Sequence, residues 1–555
     1  MARDPVEGGA FVFDLVDDGT AGPEAQLTRT GADGGEDPDG DELGSGEPPT
    51  SGGPGGKLRT IAPVAALLAV ALGTGLAVDG VRDDARMERM RDVRGGVADV
   101  SSPLKETWKW EGLVGSREAI DEGRRNEVAV LGDMLVFRSE GELIALNPAT
   151  GDEAWTVPLG EDPDCGPFGA AGWENVATSA LVCLQGAGAD REVTVVGPGG
   201  VVRAPRALDS ADTRKFGEPR SGPGGTVLRA KRDGSAVDVG DAVCNDMGEC
   251  TGTVEAGQGL VLRAEDAVTG EERWSVTVPF RSTRADQCNN WLGTSWDGSD
   301  NWVDFEQMLD PGAFGARIAA DLVQLYGCGI EAAVTADGVP LGTTIEPGMG
   351  GVTSLAGGGF TESTFEGTAG TVLYAADGDR VGEIAGHALE PGVTDGSGPA
   401  TFLVASGPRL RAYETDTTLR WEVVQTPAAD TQLFLAQVDG TAVVMTGSGT
   451  VHGLDVATGD ERWVWDSSAD ADGTHLEDLY VSRTFTDGQS VLLLTENGSG
   501  RAGLVSLDVD SGEVVWEQHA QEAVTDATAQ EFDKSLIAVD GNLLEVTPAG
   551  VRGLG

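Results

Sequence analysis

Gly453-Leu-Asp-Val-Ala-Thr-Gly-Asp-Glu-Arg-Trp463 decides how this chain is read, because the same phrase returns three more times. The other copies are Ala145-Leu-Asn-Pro-Ala-Thr-Gly-Asp-Glu-Ala-Trp155, Ala264-Glu-Asp-Ala-Val-Thr-Gly-Glu-Glu-Arg-Trp274 and Ser506-Leu-Asp-Val-Asp-Ser-Gly-Glu-Val-Val-Trp516. A fifth, Ala412-Tyr-Glu-Thr-Asp-Thr-Thr-Leu-Arg-Trp421, is one residue shorter and lacks the glycine. A period of about 40–50 residues marks propellers and solenoids. The steps from Trp421 to Trp463 to Trp516 fall in or near that range.

Each part of the phrase has a role in a hairpin. The small residue at its start lets one strand lie close to its neighbour. Asn147, Asp266, Asp455 and Asp508 can accept hydrogen bonds from turn N–H groups. Gly151, Gly270, Gly459 and Gly512 supply the left-handed backbone that such a turn needs. Trp155, Trp274, Trp421, Trp463 and Trp516 fall in the outgoing strand, where a large flat ring can wedge between adjacent sheets. Upstream lie the near-continuous apolar runs Met134-Leu-Val-Phe137, Val443-Val-Met445 and Val491-Leu-Leu-Leu494. Runs of that kind suit strands buried on both faces, as in small sheets stacked around an axis.

The phrase Ala-x-Asp-x-x-Thr-Gly-x-x-x-Trp resembles the tryptophan-docking repeat of PQQ-type β-propellers. That family includes quinoprotein dehydrogenases and the lipoprotein scaffold of bacterial outer-membrane assembly. The resemblance covers residues 104–555, with weaker units between Cys165 and Pro391 such as Val193-Thr-Val-Val196 and Val372-Leu-Tyr374. It implies an all-β propeller of about eight four-stranded blades, with seven and nine left open. It also implies closure by mixed termini, with Thr107-Trp-Lys-Trp110 as an outer strand beside the final runs Leu536-Ile-Ala-Val539 and Leu543-Leu-Glu-Val546.

The chain has 555 residues and a formal charge of -53, which would repel a phosphate backbone and argues against nucleic acid as a partner. Abundant Gly and an excess of Arg over Lys read as codon bias; a high-salt habitat would also favour the acidity. Residues 1–56 carry thirteen acids against Arg3 and Arg29 and are expected to be a disordered cytoplasmic tail. Within it, Phe11-Val-Phe-Asp-Leu-Val-Asp-Asp18 alternates as a strand would, although a greasy spot in the tail explains it as well. From Thr60 to Val78 nineteen residues carry no charge. At about 1.5 Å per residue a helix of that length spans about 28 Å, so 57–79 is read as a signal-anchor helix and 80–103 as a juxtamembrane linker. Arginines crowd its C-terminal flank, against the positive-inside rule. The cysteines lie beyond it, and long domains translocate regardless of charge, which favours a propeller outside the cytoplasm.

All six cysteines lie in the body. Proximity pairs Cys165 with Cys183, Cys244 with Cys250 and Cys288 with Cys328, as disulfides of an oxidising compartment. No CxxC pair or Cys/His cluster favours zinc. The resemblance to quinoprotein dehydrogenases would imply PQQ stacked between a Trp floor and an adjacent-cysteine disulfide, with calcium beside it, but no two cysteines here are adjacent. His387, His452, His475 and His519 are scattered. Asp466, Asp470 and Asp472, with Glu477 and Asp478, form an acidic loop that could hold calcium weakly, yet the EF-hand ligand positions fail at Ser468 and Leu479. Trp291, Trp296 and Trp302 lie among Asn289, Asn290 and Asp297, a mix suited to sugar or peptide contact as well as to packing. Asn497-Gly-Ser499 is read as a tight turn. No catalytic set converges and no cofactor is expected. The sequence therefore reads as a membrane-anchored, non-catalytic scaffold or binding module with a protein, peptide or glycan partner outside. The alternatives are a PQQ-dependent oxidoreductase and a transmembrane sensor coupled to the acidic tail.

Overall fold

The computed structural model describes residues 85–115, 127–160, 163–170, 177–186, 191–234, 238–244, 250–288, 294–295, 314–341, 351–355, 358–364, 370–396, 398, 401–424, 431–466, 480–496, 502–519 and 535–555. The expected tail, anchor helix and Phe11–Asp18 segment lie outside these residues. Among the described residues no helix is long and apolar enough to cross a membrane.

Nine sheets of four or more strands succeed one another along the described chain. They span 127–158 with 169–170 and 177–178, the rest of 164–207, 219–278, 294–341, 352–385, 387–424 without 391–394, 431–465 with 391–394, 480–519, and 535–554 with 106–111, and are blades 1 to 9 in that order. Each neighbouring pair shares its own buried apolar cluster. Val136 and Leu181 meet between blades 1 and 2, for example, and Met445 and Leu493 between blades 7 and 8. The series closes where Val128 and Leu135 of blade 1 pack with Ile537 and Leu544 of blade 9. The result is a closed ring of nine blades, where the sequence implied about eight and left seven and nine open.

Blade 9 is the clasp. Glu106–Glu111 pairs antiparallel with Gly550–Leu554, which pairs in turn with Asn542–Thr547 and then Ser535–Val539. The N-terminal strand is therefore outermost, as expected, but its neighbour is Gly550–Leu554 rather than the two runs singled out in the sequence.

The indole of one blade sits on the phrase glycine of the next. Gly459 and Gly512 have φ of +79° and +70°, and a Cβ there would lie 2.7 Å from the Trp421 ring and 2.4 Å from the Trp463 ring. Trp421 Nε1 donates to Val456 O at 2.9 Å, and Trp463 Nε1 donates to Val509 O at 2.7 Å. Trp274 donates to Ala336 O and Trp108 to Pro148 O, lying over Gly338 and Gly151; Trp155 lies over Gly200. Three seams use other residues. Arg206 covers Gly270 and donates through Nε to Ala267 O at 2.9 Å, its charge met by the buried Glu265. Val339 covers Gly378, and between blades 5 and 6 Gly382 faces Thr417, a threonine at φ +69° where other blades have glycine.

The ninth seam needs a substitute. The turn that would receive Trp516 falls at the chain break between Gly555 and Lys105, and residues 93–105 fill it as a strap. Trp516 Nε1 and Ser506 Oγ donate to Val100 O, and Val100 N donates to Asp487 Oδ2. Val97 N donates to Thr486 O, Ala98 N to Gly541 O, and Lys105 and Gly555 exchange both backbone bonds. Val97, Val100 and Leu104 are buried in the cluster between blades 8 and 9. A helix over 85–92 precedes the strap, with Met90 buried. The described part of the stretch read as a linker thus belongs to the propeller.

Three disulfides form in the expected pairs, Cys165–Cys183, Cys244–Cys250 and Cys288–Cys328. The first joins facing residues of two adjacent strands of blade 2. The other two brace a small lobe between blades 3 and 4, around Val254 and Ala285.

Candidate functional site

The phrase residues build turns. Asp455 Oδ1 accepts from Ala457 N and Thr458 N, while Asp508 Oδ1 accepts from Asp510 N and Ser511 N. Asn147 accepts from Ala149 N. Asp266 accepts from Val268 N and Thr269 N and receives Arg273 Nη2 at 2.7 Å. Burial alone would raise the Asp266 carboxyl, but those N–H groups and the guanidinium hold it down at about 2. The Arg that precedes Trp463 repeats this pairing, Arg462 Nη2 lying 2.7 Å from Asp455 Oδ2. These groups satisfy one another, so the repeat residues serve the ring.

A cavity of about 350 Å³ is lined by the first strands of blades 6, 7, 8 and 9 together with the strand Pro391–Thr394. Its lining includes Arg94 and Gly95 at the start of the strap, His387 and Glu390 of blade 6, Ser482, Arg483 and Thr484 of blade 8, and Ala538 of blade 9. Burial sorts these side chains. Leu389, Phe434, Phe485 and Ile537 are buried in the seams, whereas His387, Ser482, Arg483 and Thr484 are half-buried. Two first strands depart from regular pairing here: the register shifts between Val481 and Arg483 and between Phe434 and Ala436. Among the described strand pairs, register shifts in a first strand occur only in these two. Such bulges re-aim side chains and gather beside functional sites.

Glu390 is the perturbed group of the cavity. Burial pushes its carboxyl up to about 7, opposed by the Thr361 hydroxyl at 3.2 Å and the positive charge of Arg94, and reinforced by Asp321. Burial likewise lowers His387 below its ordinary value. The sequence singled out His387 but neither Glu390 nor the two arginines, since a lone Glu in a strand carries no local pattern. His452 lies elsewhere, in blade 7, with Nδ1 3.0 Å from Glu461 Oε2. His475, Asp470, Asp472, the tryptophans Trp291, Trp296 and Trp302, and Asn497 to Ser499 lie outside the described residues, as does the His519 side chain. Among the described residues no three His, Cys, Asp or Glu side chains gather as a metal site.

The family model described as outer membrane protein assembly factor BamB, a PQQ-repeat model, matches residues 258–549, more than half of the chain. The chain belongs to that family. Among solved structures, this BamB-family chain is similar to BamB from Moraxella catarrhalis at 12% identity, over 81% of this chain and 99% of that one, with a TM-score of 0.33. It is similar to the quinohemoprotein alcohol dehydrogenase from Comamonas testosteroni at 12% identity, over 81% and 76%, with a TM-score of 0.33. It is also similar to the computationally designed Ika8 protein at 11% identity, over 80% and 99%, with a TM-score of 0.29. No curated protein matches.

PQQ is the cofactor the family name raises. Its planar rings call for stacking partners, and the described cavity lining contains neither Trp nor Cys, while Phe434 and Phe485 are committed to the seams. The three disulfides lie in blade 2 and in the lobe between blades 3 and 4, away from this lining. The described lining of this cavity therefore offers a stacked quinone neither an indole nor a disulfide to lie against.

Proposed function

We propose that this BamB-family propeller is a non-catalytic scaffold that holds protein partners outside the cytoplasm. The observation that carries this reading is the rigid closed ring. Each of the nine seams is locked by packing or docking, including the one completed by the strap, so the turns and rim are held as fixed platforms. The family description, an assembly factor for outer membrane proteins, points toward protein binding over turnover. Three formed disulfides support an oxidising compartment, and the uncharged stretch from Thr60 to Val78 supplies the anchor in this reading.

The test is in-membrane cross-linking of the full chain followed by mass spectrometry, in parallel with reconstitution of the purified chain with PQQ and calcium. A reproducible protein partner lost when the outer face is blocked by antibody, with no quinone absorbance band and no dye reduction, is expected. A retained quinone with alcohol- or sugar-dependent dye reduction would replace the scaffold with an oxidoreductase.

A further inference from the structure

We infer that a short tether holds the ring with its phrase-turn face against the surface of the bilayer, because the chain enters that face only a few residues after the uncharged stretch Thr60–Val78. The inference rests on the anchor of the proposed function and adds which side of the ring the lipid headgroups meet.

The first argument is where the chain enters. In an antiparallel blade the turn between the first and second strands leaves by the same side as the phrase turn between the third and fourth. In blade 8 the two meet, Val509 N donating to Gln489 O at 3.0 Å. The residues that lead into the strap lie on this side. A Cβ at Gly488, in the first turn of blade 8, would be 3.3 Å from Arg86 Cγ. One at Gly541, in the first turn of blade 9, would be 3.0 Å from Arg91 Cγ. Met90, between them in sequence, is buried. From Arg86 onward the chain is therefore fixed to the phrase-turn face.

The second argument is reach. Only residues 79–85 separate Val78 from Arg86. A segment of that length covers at most about 25 Å fully stretched. To bring the opposite face to the bilayer, the chain would first run outward across a four-stranded blade, about 14 Å at the usual strand spacing. It would then pass the length of strands such as Tyr480–Thr486 and Ser490–Glu496, about 23 Å more. The tether is too short for that path. The opposite face, with the lobe braced by Cys244–Cys250 and Cys288–Cys328, is left open to solvent.

The third argument is charge. The arginines after the uncharged stretch run against the positive-inside rule, and two of them have work in the ring: the charge of Arg86 acts on Asp99 and that of Arg91 on Asp540. Their place in the sequence is thus explained by the fold they join. The phrase turns themselves expose Asp152, Asp377, Asp416 and Asp510, which an anionic lipid surface repels. Adhesion therefore opposes the approach, and the shortness of the tether enforces it.

The experiment is energy transfer from the full chain to an acceptor-labelled lipid, in vesicles of phosphatidylcholine and phosphatidylglycerol. All six native cysteines are paired, so a donor dye can be placed on one introduced cysteine. Thr415→Cys lies in an exposed turn of the phrase-turn face of blade 6, and Ser406→Cys in an exposed turn at the other end of the same blade. The strand Arg409–Glu414 sets them about 20 Å apart, and transfer from Thr415→Cys is expected to exceed that from Ser406→Cys about twofold or more. Inserting about twenty Gly and Ser residues between Gly80 and Val81 should abolish the difference while the chain still floats with the vesicles. A vesicle-bound chain with equal transfer from the two positions, or more from Ser406→Cys, would overturn the orientation and leave the anchor standing. A difference that survives the insertion would overturn the role of the tether. A chain that does not float with vesicles would overturn the anchor and the inference with it.

Discussion

At Gly459 the backbone is left-handed and the Trp421 ring lies where a β-carbon would go, whereas at Gly440, with φ +73°, the nearest atom to an added Cβ is Arg462 Nη2 at 3.8 Å. The pair separates backbone strain from docking. Gly440→Ala should cost about 1 kcal/mol through the conformation alone. Gly459→Ala should cost about 2–4 kcal/mol, because the indole must also shift from its seat and its bond to Val456 O. Equal losses in chemical denaturation would show that the ring does not depend on the glycine. The same scale explains what could be read beforehand. Asp455, Gly459 and Trp463 were legible because one phrase spells out a turn and its lid. Arg206, Val339 and the Gly382–Thr417 pair were not, because a seam needs only a side chain that covers the next turn, and sequence pattern looks for an indole. Glu390 is the second residue with a measurable signature. Its folded pKa, about 7, lies above the ordinary glutamate value, so between the two the native state holds the extra proton. Its contribution therefore favours the fold at the acid end and is lost as pH rises toward 7. Glu390→Gln should leave stability unchanged near pH 4.5 and raise it by about 2 kcal/mol near pH 8. A variant no more stable than the parent at pH 8 would mean the carboxylate is not penalised by burial.

At the scale of elements the strap is the piece that sequence could not reveal. A turn cut by the chain ends leaves no phrase, and its replacement comes from residues whose composition reads as spacer. The strand 106–111 was legible through its two tryptophans; the segment before it has only Val97, Val100 and Leu104 to mark it. The dependence of strap on blade gives a directional prediction. Trp516→Ala removes the donor to Val100 O and a wall of the cluster that buries the strap, while Trp463→Ala opens a similar cavity one seam away. Both should cost about 3–5 kcal/mol of global stability. Only Trp516→Ala should accelerate hydrogen exchange at the amides of Val97, Ala98 and Lys105 under native conditions, by about tenfold or more. Matching exchange in the two variants would show that the strap is held by its backbone bonds to Thr486 and Gly541 without help from the indole.

For the molecule as a whole, a ring of nine sheets has no terminal blade to fray, and in a chain with 91 acids against 38 basic residues that closure must hold against the self-repulsion of an acidic body. Several described ion pairs, Arg273 with Asp266 and Arg462 with Asp455 among them, spend a base on a turn carboxylate of the same blade and leave the net charge untouched. Salt acts on the remaining excess. Its screening length shrinks from about 14 Å at 0.05 M to about 4 Å at 0.5 M, which removes repulsion between carboxylates on different blades while shielding the close pairs far less. Thermal stability should therefore rise by several degrees as NaCl is raised from about 0.05 to about 0.5 M, with most of the gain at the low end. A gain that continues steadily into the molar range would instead mark the acidity as an adaptation to high salt, and a flat or falling profile would mean that the close pairs, and not the net charge, dominate the electrostatics of the ring.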